Sequence, residues 1–227
     1  LTAIRNASVK KVLAELKSLA ADRPEDYAKF IAEFNRPLKE GLYSDFANRH
    51  PLLELIRVKT TTSEEFTSLA DVKARMQEGQ KGIYFITGGP SAQLRTSPLL
   101  EIYKKKGIEV LILDDEIDEF VFAGIDKYDG VDLKAVNKSS AGEDLKSDDD
   151  KDKSEDLKPL LEKLKAALGP KVKDVRASMR LADSPSCIVS DEEEPSLKMR
   201  QMLRAMGQAG FPETKPILEV NPDHPVI

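Results

Sequence analysis

The sequence has no tryptophan, one cysteine and two histidines among its 227 residues. Cys187 alone can form no internal disulfide, so a packed core must hold the fold, which suits a reducing, cytoplasmic compartment. His50 has no partner histidine nearby, so histidine-built metal sites and catalytic triads are poorly supplied. No catalytic and no metal-binding residue is expected. No apolar run nears the roughly 18 residues that a membrane span requires. Residues 1–20 carry charges throughout and read as an amphipathic helix rather than a signal peptide. Acidic residues exceed basic ones by 40 to 35, a net charge of −5, which argues against a nucleic-acid partner. The chain starts at Leu1 and stops at Val226-Ile227, just past an extended motif, so both ends read as cut from something longer.

What is present is a charged but foldable composition, 40% apolar and 33% charged. Val9, Val12, Leu13, Leu16, Leu19 and Ala20 share one face of a first helix. Tyr27, Phe30, Ile31 and Phe34 mark a second, opened by Pro24 and expected to end at Pro37, with a turn at Lys39-Glu40-Gly41. A third helix is expected from Pro51 to Val58, carrying Leu52, Leu53 and Ile56. Residues 60–65 read as a polar loop. Ser68 with Asp71 resembles a capping box that opens a short helix burying Leu69, Val72 and Met76.

The centre of the chain is the stretch from Ile83 to Leu113. Two short runs, Ile83 to Thr87 and Ile108 to Leu113, are apolar on both faces and flank a helix-like segment. That is the pattern of a β-α-β unit whose parallel strands are covered on both sides. Gly88-Gly89-Pro90-Ser91 follows the first strand, where phosphate sites often lie. It lacks the third glycine of a dinucleotide fingerprint and the Gly-Lys-Ser/Thr of a P-loop, so it reads as a tight turn. Ser97-Pro98 caps the next helix, which Lys104, Lys105, Lys106 and Gly107 close. The acids from Asp114 to Glu119 read as a helix start. Val131 to Val136 alternates as a strand with one wet face does.

Residues 137–156 break the composition. Serine, aspartate and lysine dominate, and such a run reads as a charged linker. Beyond it come a helix with Leu157, Leu160, Leu161, Leu164 and Leu168 on one face, an alternating strand around Val175 and Ala177, and a strand from Ser186 to Val189. Cys187 reads as a small core residue. A helix from Ser196 to about Gly207 carries Leu197, Met199, Met202, Leu203 and Met206 between Lys198, Arg200 and Arg204. Methionine is flexible and polarizable, so this helix fits ordinary core packing or an adaptable binding face. A last strand runs from Ile217 to Val220. The fold class is α/β, α+β overall: a helical coil and a small three-layer α/β/α unit with a parallel β-α-β core, then a small α+β domain.

Ile83-Tyr84-Phe85-Ile86-Thr87-Gly88, Ser97-Pro98-Leu99-Leu100-Glu101, Lys105-Lys106-Gly107-Ile108-Glu109-Val110-Leu111 and Ile117-Asp118-Glu119-Phe120 resemble the ninety-kilodalton heat-shock chaperone family, in its bacterial form. So do Val172-Lys173-Asp174-Val175-Arg176 and Leu218-Glu219-Val220-Asn221-Pro222-Asp223-His224-Pro225. The resemblance runs the length of the chain in family order. Gly89-Pro90 departs from it by replacing bulkier residues, which should shorten the next helix.

The resemblance implies a fragment of an ATP-dependent chaperone that binds partly unfolded clients and couples two domains. Residues 1–136 would be the later portion of the middle domain, a coil over 1–78 and an α/β/α unit over 79–136. Residues 137–156 would be the charged linker, and 157–227 a C-terminal dimerisation domain cut before its final helices. The ATP and magnesium site and the catalytic arginine of the parent would lie upstream of Leu1, so this portion is expected to hold no cofactor and to be no enzyme itself. The intact parent would be a homodimer, and this portion a monomer or weak dimer. By motif position, clients would meet Leu197, Met199, Met202, Leu203, Met206, Glu119 and Phe120. Two other classes remain: a small α/β protein binding phosphate or nucleotide at Gly88 to Ser91, and an interaction scaffold without clients.

Overall fold

The computed structural model describes residues 2–145, 157–192, 194–205, 207 and 215–227. Helix α1 (Thr2–Asp22) and helix α2 (Pro24–Ser44) form an antiparallel pair. Leu13, Leu16, Leu19 and Ala20 of α1 pack on Tyr27 and Ile31 of α2 and on Leu55. Val12, placed on the same stripe by its spacing, is exposed.

Helix α2 differs from its expected course. It runs through Pro37 and includes Lys39-Glu40-Gly41. Proline removes one N–H and frees the carbonyl of Glu33. Both residues lie on the solvent face, where water satisfies that carbonyl. The buried stripe Ile31, Asn35, Lys39, Leu42 continues past the break, and its packing outweighs the lost bond. Phe34 is exposed and stacks on Phe30, ring centroids 5.0 Å apart.

Helix α3 (Arg49–Leu55) stops before the expected Val58. The Asn35 side chain receives the Arg57 amide at 3.0 Å and donates to the Arg57 carbonyl at 2.8 Å. That pairing replaces the helical bonds Arg57 would otherwise make and turns the chain into an extended strand. At Gly41 an added Cβ would lie 3.0 Å from Leu52 Cδ1, so α2 and α3 approach closely because glycine stands there.

The first sheet has five strands: β1 (Lys59–Thr60), β2 (Gly82–Ile86), β3 (Val110–Ile112), β4 (Lys127–Tyr128) and β5 (Val131–Ala135), in the order β1-β3-β2-β5-β4. Strand β2 pairs in parallel with β3 and β5, and the two edges are antiparallel. Alternate residues of β2 serve two cores. Ile83 and Phe85 pack with Leu111, Leu133 and α3; Tyr84 and Ile86 pack with Val110, Ile112, Leu100 and Tyr103. Helices α4 (Leu69–Ala74) and α7 (Asp118–Phe122) contribute to the first core; α5 (Ser91–Arg95) and α6 (Glu101–Lys105) contribute to the second. Ser68 caps α4 as its sequence predicts, its hydroxyl accepting the Asp71 amide at 3.0 Å. After Gly89-Pro90, α5 has only 5 residues.

Within the 137–156 stretch, Ser140–Leu145 form a 3-10 helix, with Ala141 and Leu145 buried. The rest, 146–156, lies outside the described residues. Helix α8 (Lys158–Leu168) and strands β6 (Asp174–Ala177), β7 (Ser186–Val189) and β8 (Ile217–Val220) follow, with α9 (Leu197–Ala205) between β7 and β8. The sheet order is β6-β8-β7. Among the described residues, Leu181, Cys187, Val189 and Ile217 form one apolar cluster with Leu99 of the first unit packed against them, and Val175, Ala177 and Val220 are also buried.

Candidate functional site

The seam between the two sheets is built from charged side chains that receive backbone groups. Arg180 has no exposed surface. Its Nε donates to Glu219 Oε2 at 2.8 Å and its Nη2 to Oε1 at 3.2 Å. The remaining donors reach the end of the first unit and the residues just past it: Nη1 bonds the Val136 carbonyl, and Nη2 the Lys138 and Ser139 carbonyls at 3.1 and 3.3 Å. Arg176 adds a bond to Glu219 at 2.6 Å and one to the Ser139 carbonyl at 3.0 Å. The guanidinium fork suits this task, because its five donors lie in one plane. Glu219 sits among apolar residues on β8, and there this pair of arginines balances its buried charge.

Glu101 does the reverse from the first unit. It accepts the amides of Ala182, Asp183 and Ser184 at 2.7, 2.8 and 3.1 Å, and the Ser184 hydroxyl as well. Burial opposes its ionisation, but the Ser184 hydroxyl and the three amides outweigh burial and hold the carboxyl below its usual range. Cys187 lies 3.9 Å from Glu219. Burial, with the Glu219 charge beside it, pushes the thiol up to about 12, so it is a core residue and not a nucleophile.

Farther along the seam, Glu119 of α7 holds the start of α9. Thr87 Oγ1, just past β2, donates to Glu119 Oε2 at 2.5 Å, and the Ser196 hydroxyl donates to Oε1. Ser196 also accepts the Met199 amide at 3.0 Å, so it is the N-cap of α9. Lys138 gathers the loop before α9, donating to the carbonyls of Asp191 and Glu192 at 3.1 and 3.0 Å and to that of Glu194. Burial lowers the pKa of that ammonium group, and the acids around it partly oppose the shift.

The sequence-based site residues divide accordingly. Glu119 and Met199 are brought to one seam and are buried; Phe120 and Leu203 are half-buried. Met206 and the side chains of Leu197 and Met202 lie outside the described residues. A cavity of about 490 Å³ lies beneath the seam, with Phe85, Phe122, Leu133, Glu119, Ser196 and Met199 in its wall.

The residue beside Glu119 works on the other side of α7. Lys39 of α2 donates to Asp118 at 2.9 Å and to Asp115 at 2.6 Å. The acids at the start of α7 are therefore partners of a buried lysine as well as dipole complements. Burial, only partly offset by Lys39, pushes the Asp118 carboxyl up to about 6. Its Oδ1 has no hydrogen-bond partner among the described residues. A lysine on an otherwise buried helix stripe was the available signal for this pair. A glutamate inside an apolar strand was the signal for the arginine cluster.

The glycine loop fits a nucleotide poorly. Its cavity is bounded by Gly88, Gly89 and Pro90 on one side and by Asp114, Asp115, Glu116 and Glu119 on the other. That carboxylate wall repels phosphate, and α5 is too short to supply a strong dipole. Among the described residues no cluster of three or more His, Cys, Asp or Glu is arranged to hold a metal ion. No described helix is long and apolar enough to cross a membrane.

A family model described as Hsp90 protein matches residues 1–227. The chaperone protein HtpG of Treponema denticola is 54% identical, over 100% of this chain and 37% of its own length. That of Wolinella succinogenes is 47% identical, over 99% of this chain and 37% of its own. That of Dechloromonas aromatica is also 47% identical, over 99% of this chain and 36% of its own. The chain thus spans little more than a third of the length of these relatives. With a match along its whole length and relatives at about half identity, the chain belongs to the Hsp90 family.

Proposed function

We propose that this chain is the client-holding and force-transmitting portion of an ATP-dependent, cytoplasmic chaperone that acts as a homodimer. In this reading residues 1–136 are the later part of a middle domain and 157–227 the beginning of a C-terminal domain. ATP and magnesium act elsewhere in the parent protein, and no chemical step falls to the residues of this chain.

The observation that carries the reading is the seam. Two small units held only by apolar contact would slide or separate. Here Arg180 and Glu101 each hold backbone groups of the facing unit, and Arg176 and Lys138 tie the second unit to the start of the segment that joins them. Such bonds fix orientation as well as distance. A rotation imposed on the first unit is then delivered to the second, as coupling between domains requires. The helix that the client reading singles out, α9, is anchored in the same seam.

The test is light scattering from an aggregating unfolded protein with and without the chain. The chain should delay aggregation at stoichiometric amounts, and Met199→Ser with Met202→Ser should weaken that delay by several-fold. Unchanged suppression, with an unchanged circular dichroism spectrum, would remove α9 from the reading. A scaffold without clients would show no suppression at all.

A further inference from the structure

The closed position of α9 hides part of what a client would touch. Glu119 and Met199 are 8% and 9% exposed. A carboxylate with both oxygens engaged and a buried methionine offer little to a passing polypeptide. We propose that the Thr87–Glu119–Ser196 contact is a latch that holds α9 closed, and that its opening uncovers the apolar surface a partly unfolded polypeptide binds. The inference rests on the client reading above and adds to it a state that must be left before binding.

Three features of the contact support a latch over permanent packing. First, the carboxylate of Glu119 is divided between the two units, Thr87 Oγ1 on one oxygen and Ser196 Oγ on the other. Second, the hydroxyl of Ser196 both caps the Met199 amide and docks the helix. Undocking therefore need not unwind α9, because the cap stays with the helix. Third, a cavity of about 490 Å³ adjoins the contact. A helix sunk into a close-packed core loses all its dispersion contacts on leaving; one held by polar groups beside an open cleft loses fewer. Opening then costs these hydrogen bonds, which water replaces in part, together with the burial of Met199 and Arg200.

The fixed side is also identifiable. Asp118 ties α7 to Lys39 of α2, and Phe122 of α7 packs on Phe85 at 5.5 Å. On the other side, Asp191, Glu192 and Glu194 are retained by Lys138 through their backbone carbonyls. The element that moves is α9 with its leading loop, and Lys138 is the second point of retention.

The experiment uses the whole chain and two variants. Ser196→Asp keeps an oxygen to cap the Met199 amide but sets a second carboxylate against Glu119. Lys138→Met removes the other retention point and carries the test if Ser196→Asp does not fold by circular dichroism. Hydrogen exchange followed by mass spectrometry should show α9 amides exchanging about tenfold faster, the loss of one or two polar contacts. The amount of chain needed to suppress aggregation of reduced insulin should fall by up to about tenfold, because the apparent dissociation constant falls in step with the open fraction. Unchanged α9 exchange in both variants overturns the latch. Faster exchange with equal or poorer suppression also overturns it, because the docked helix would then be the binding form. Failure of the unaltered chain and of both variants to suppress aggregation, with exchange accelerated, sinks the client reading and leaves only the contact.

Discussion

Replacing Arg180 tests the seam most directly. Its guanidinium has no exposed surface and makes two kinds of contact at once, to Glu219 within the second unit and to the carbonyls of Val136, Lys138 and Ser139, where the first unit ends and the linker begins. Arg180→Ala leaves Glu219 with Arg176 alone and strands the carbonyls of Val136 and Lys138. Breaking a buried ion pair by removing one partner costs roughly 3–5 kcal/mol, and the smaller apolar body of alanine leaves a void besides. Among the described residues, the apolar cluster beside Cys187 in the second unit is small, Leu181, Cys187, Val189 and Ile217 with Leu99 of the first unit against them, so there is little near Arg180 to absorb the loss. Urea unfolding followed by far-ultraviolet circular dichroism is the assay. Arg180→Ala should separate the curve into two transitions, the earlier one belonging to the second sheet, whose midpoint falls by about 1.5–2.5 M for an m-value near 2 kcal/mol/M. Arg180→Lys should recover little, since one ammonium cannot serve the fork of acceptors. With Glu219→Gln, a double-mutant cycle should give a coupling above about 1.5 kcal/mol. A loss below about 1 kcal/mol for Arg180→Ala, with one unsplit transition, would refute the idea that this cluster holds the units together.

Other expectations follow from the same polar sites. The Asp118 carboxyl is raised from 3.8 to about 6. Its neutral form is therefore favoured by folding, and that contribution is present below about pH 4 and lost as pH rises through 6. Relative to Asp118→Asn, the native chain should lose roughly 3 kcal/mol between those limits, measured as the pH dependence of the difference in unfolding free energy. Glu101 has the opposite sign. Its carboxyl is held below 4.5, so its contribution is present above that value and fades as pH falls beneath it. Glu101→Gln should cost roughly 1–2 kcal/mol at pH 7 and progressively less as pH falls below 4.5, read from melting curves across that range. Cys187 should resist a disulfide reagent at pH 8 in the folded chain and react fully in urea. Rapid reaction of the folded chain would contradict a thiol pushed up to about 12.

What the sequence made legible depended on local repetition. The runs around Phe85 and Leu111 were readable as doubly covered strands because each alternate residue found an apolar layer. Ser68 and Ser97 were readable as caps because a cap is a matter of three or four adjacent residues. Lys59–Thr60 was not readable as a strand. Two polar residues have no period, and their partners Leu111 and Ile112 stand some fifty positions away. Pro37 misled for the same reason: its local penalty is real, but the stripe that overrides it includes Lys39, whose partner is 79 positions distant. The candidate site was half legible. Motif position placed Glu119 and Met199 in one functional group, and the structure brings them to one seam. That they meet through Ser196, and are buried by meeting, was carried by no pattern in the chain, because hydrogen-bond partners across domains leave no spacing to read.

Helix α7 is where these threads join. It has only 5 residues, and successive positions on a helix point about 100° apart. Asp118 and Glu119 therefore face different neighbours: one is held by Lys39 of the coil, the other holds the first turn of α9. Both carboxylates are buried, where charge interactions are screened least. A shift of α2 along the sheet changes the setting of Asp118 and, through five residues of rigid backbone, that of Glu119. Each contact is worth on the order of 1–3 kcal/mol, the range that multiplies an opening equilibrium by about 5 to 150. That is large enough to open or close α9 and small enough to be reversed. A wholly apolar junction would resist such a shift until it gave way altogether. Short polar links between packed layers give way one at a time, and here they sit between the coil and the helix that the client reading assigns to substrate.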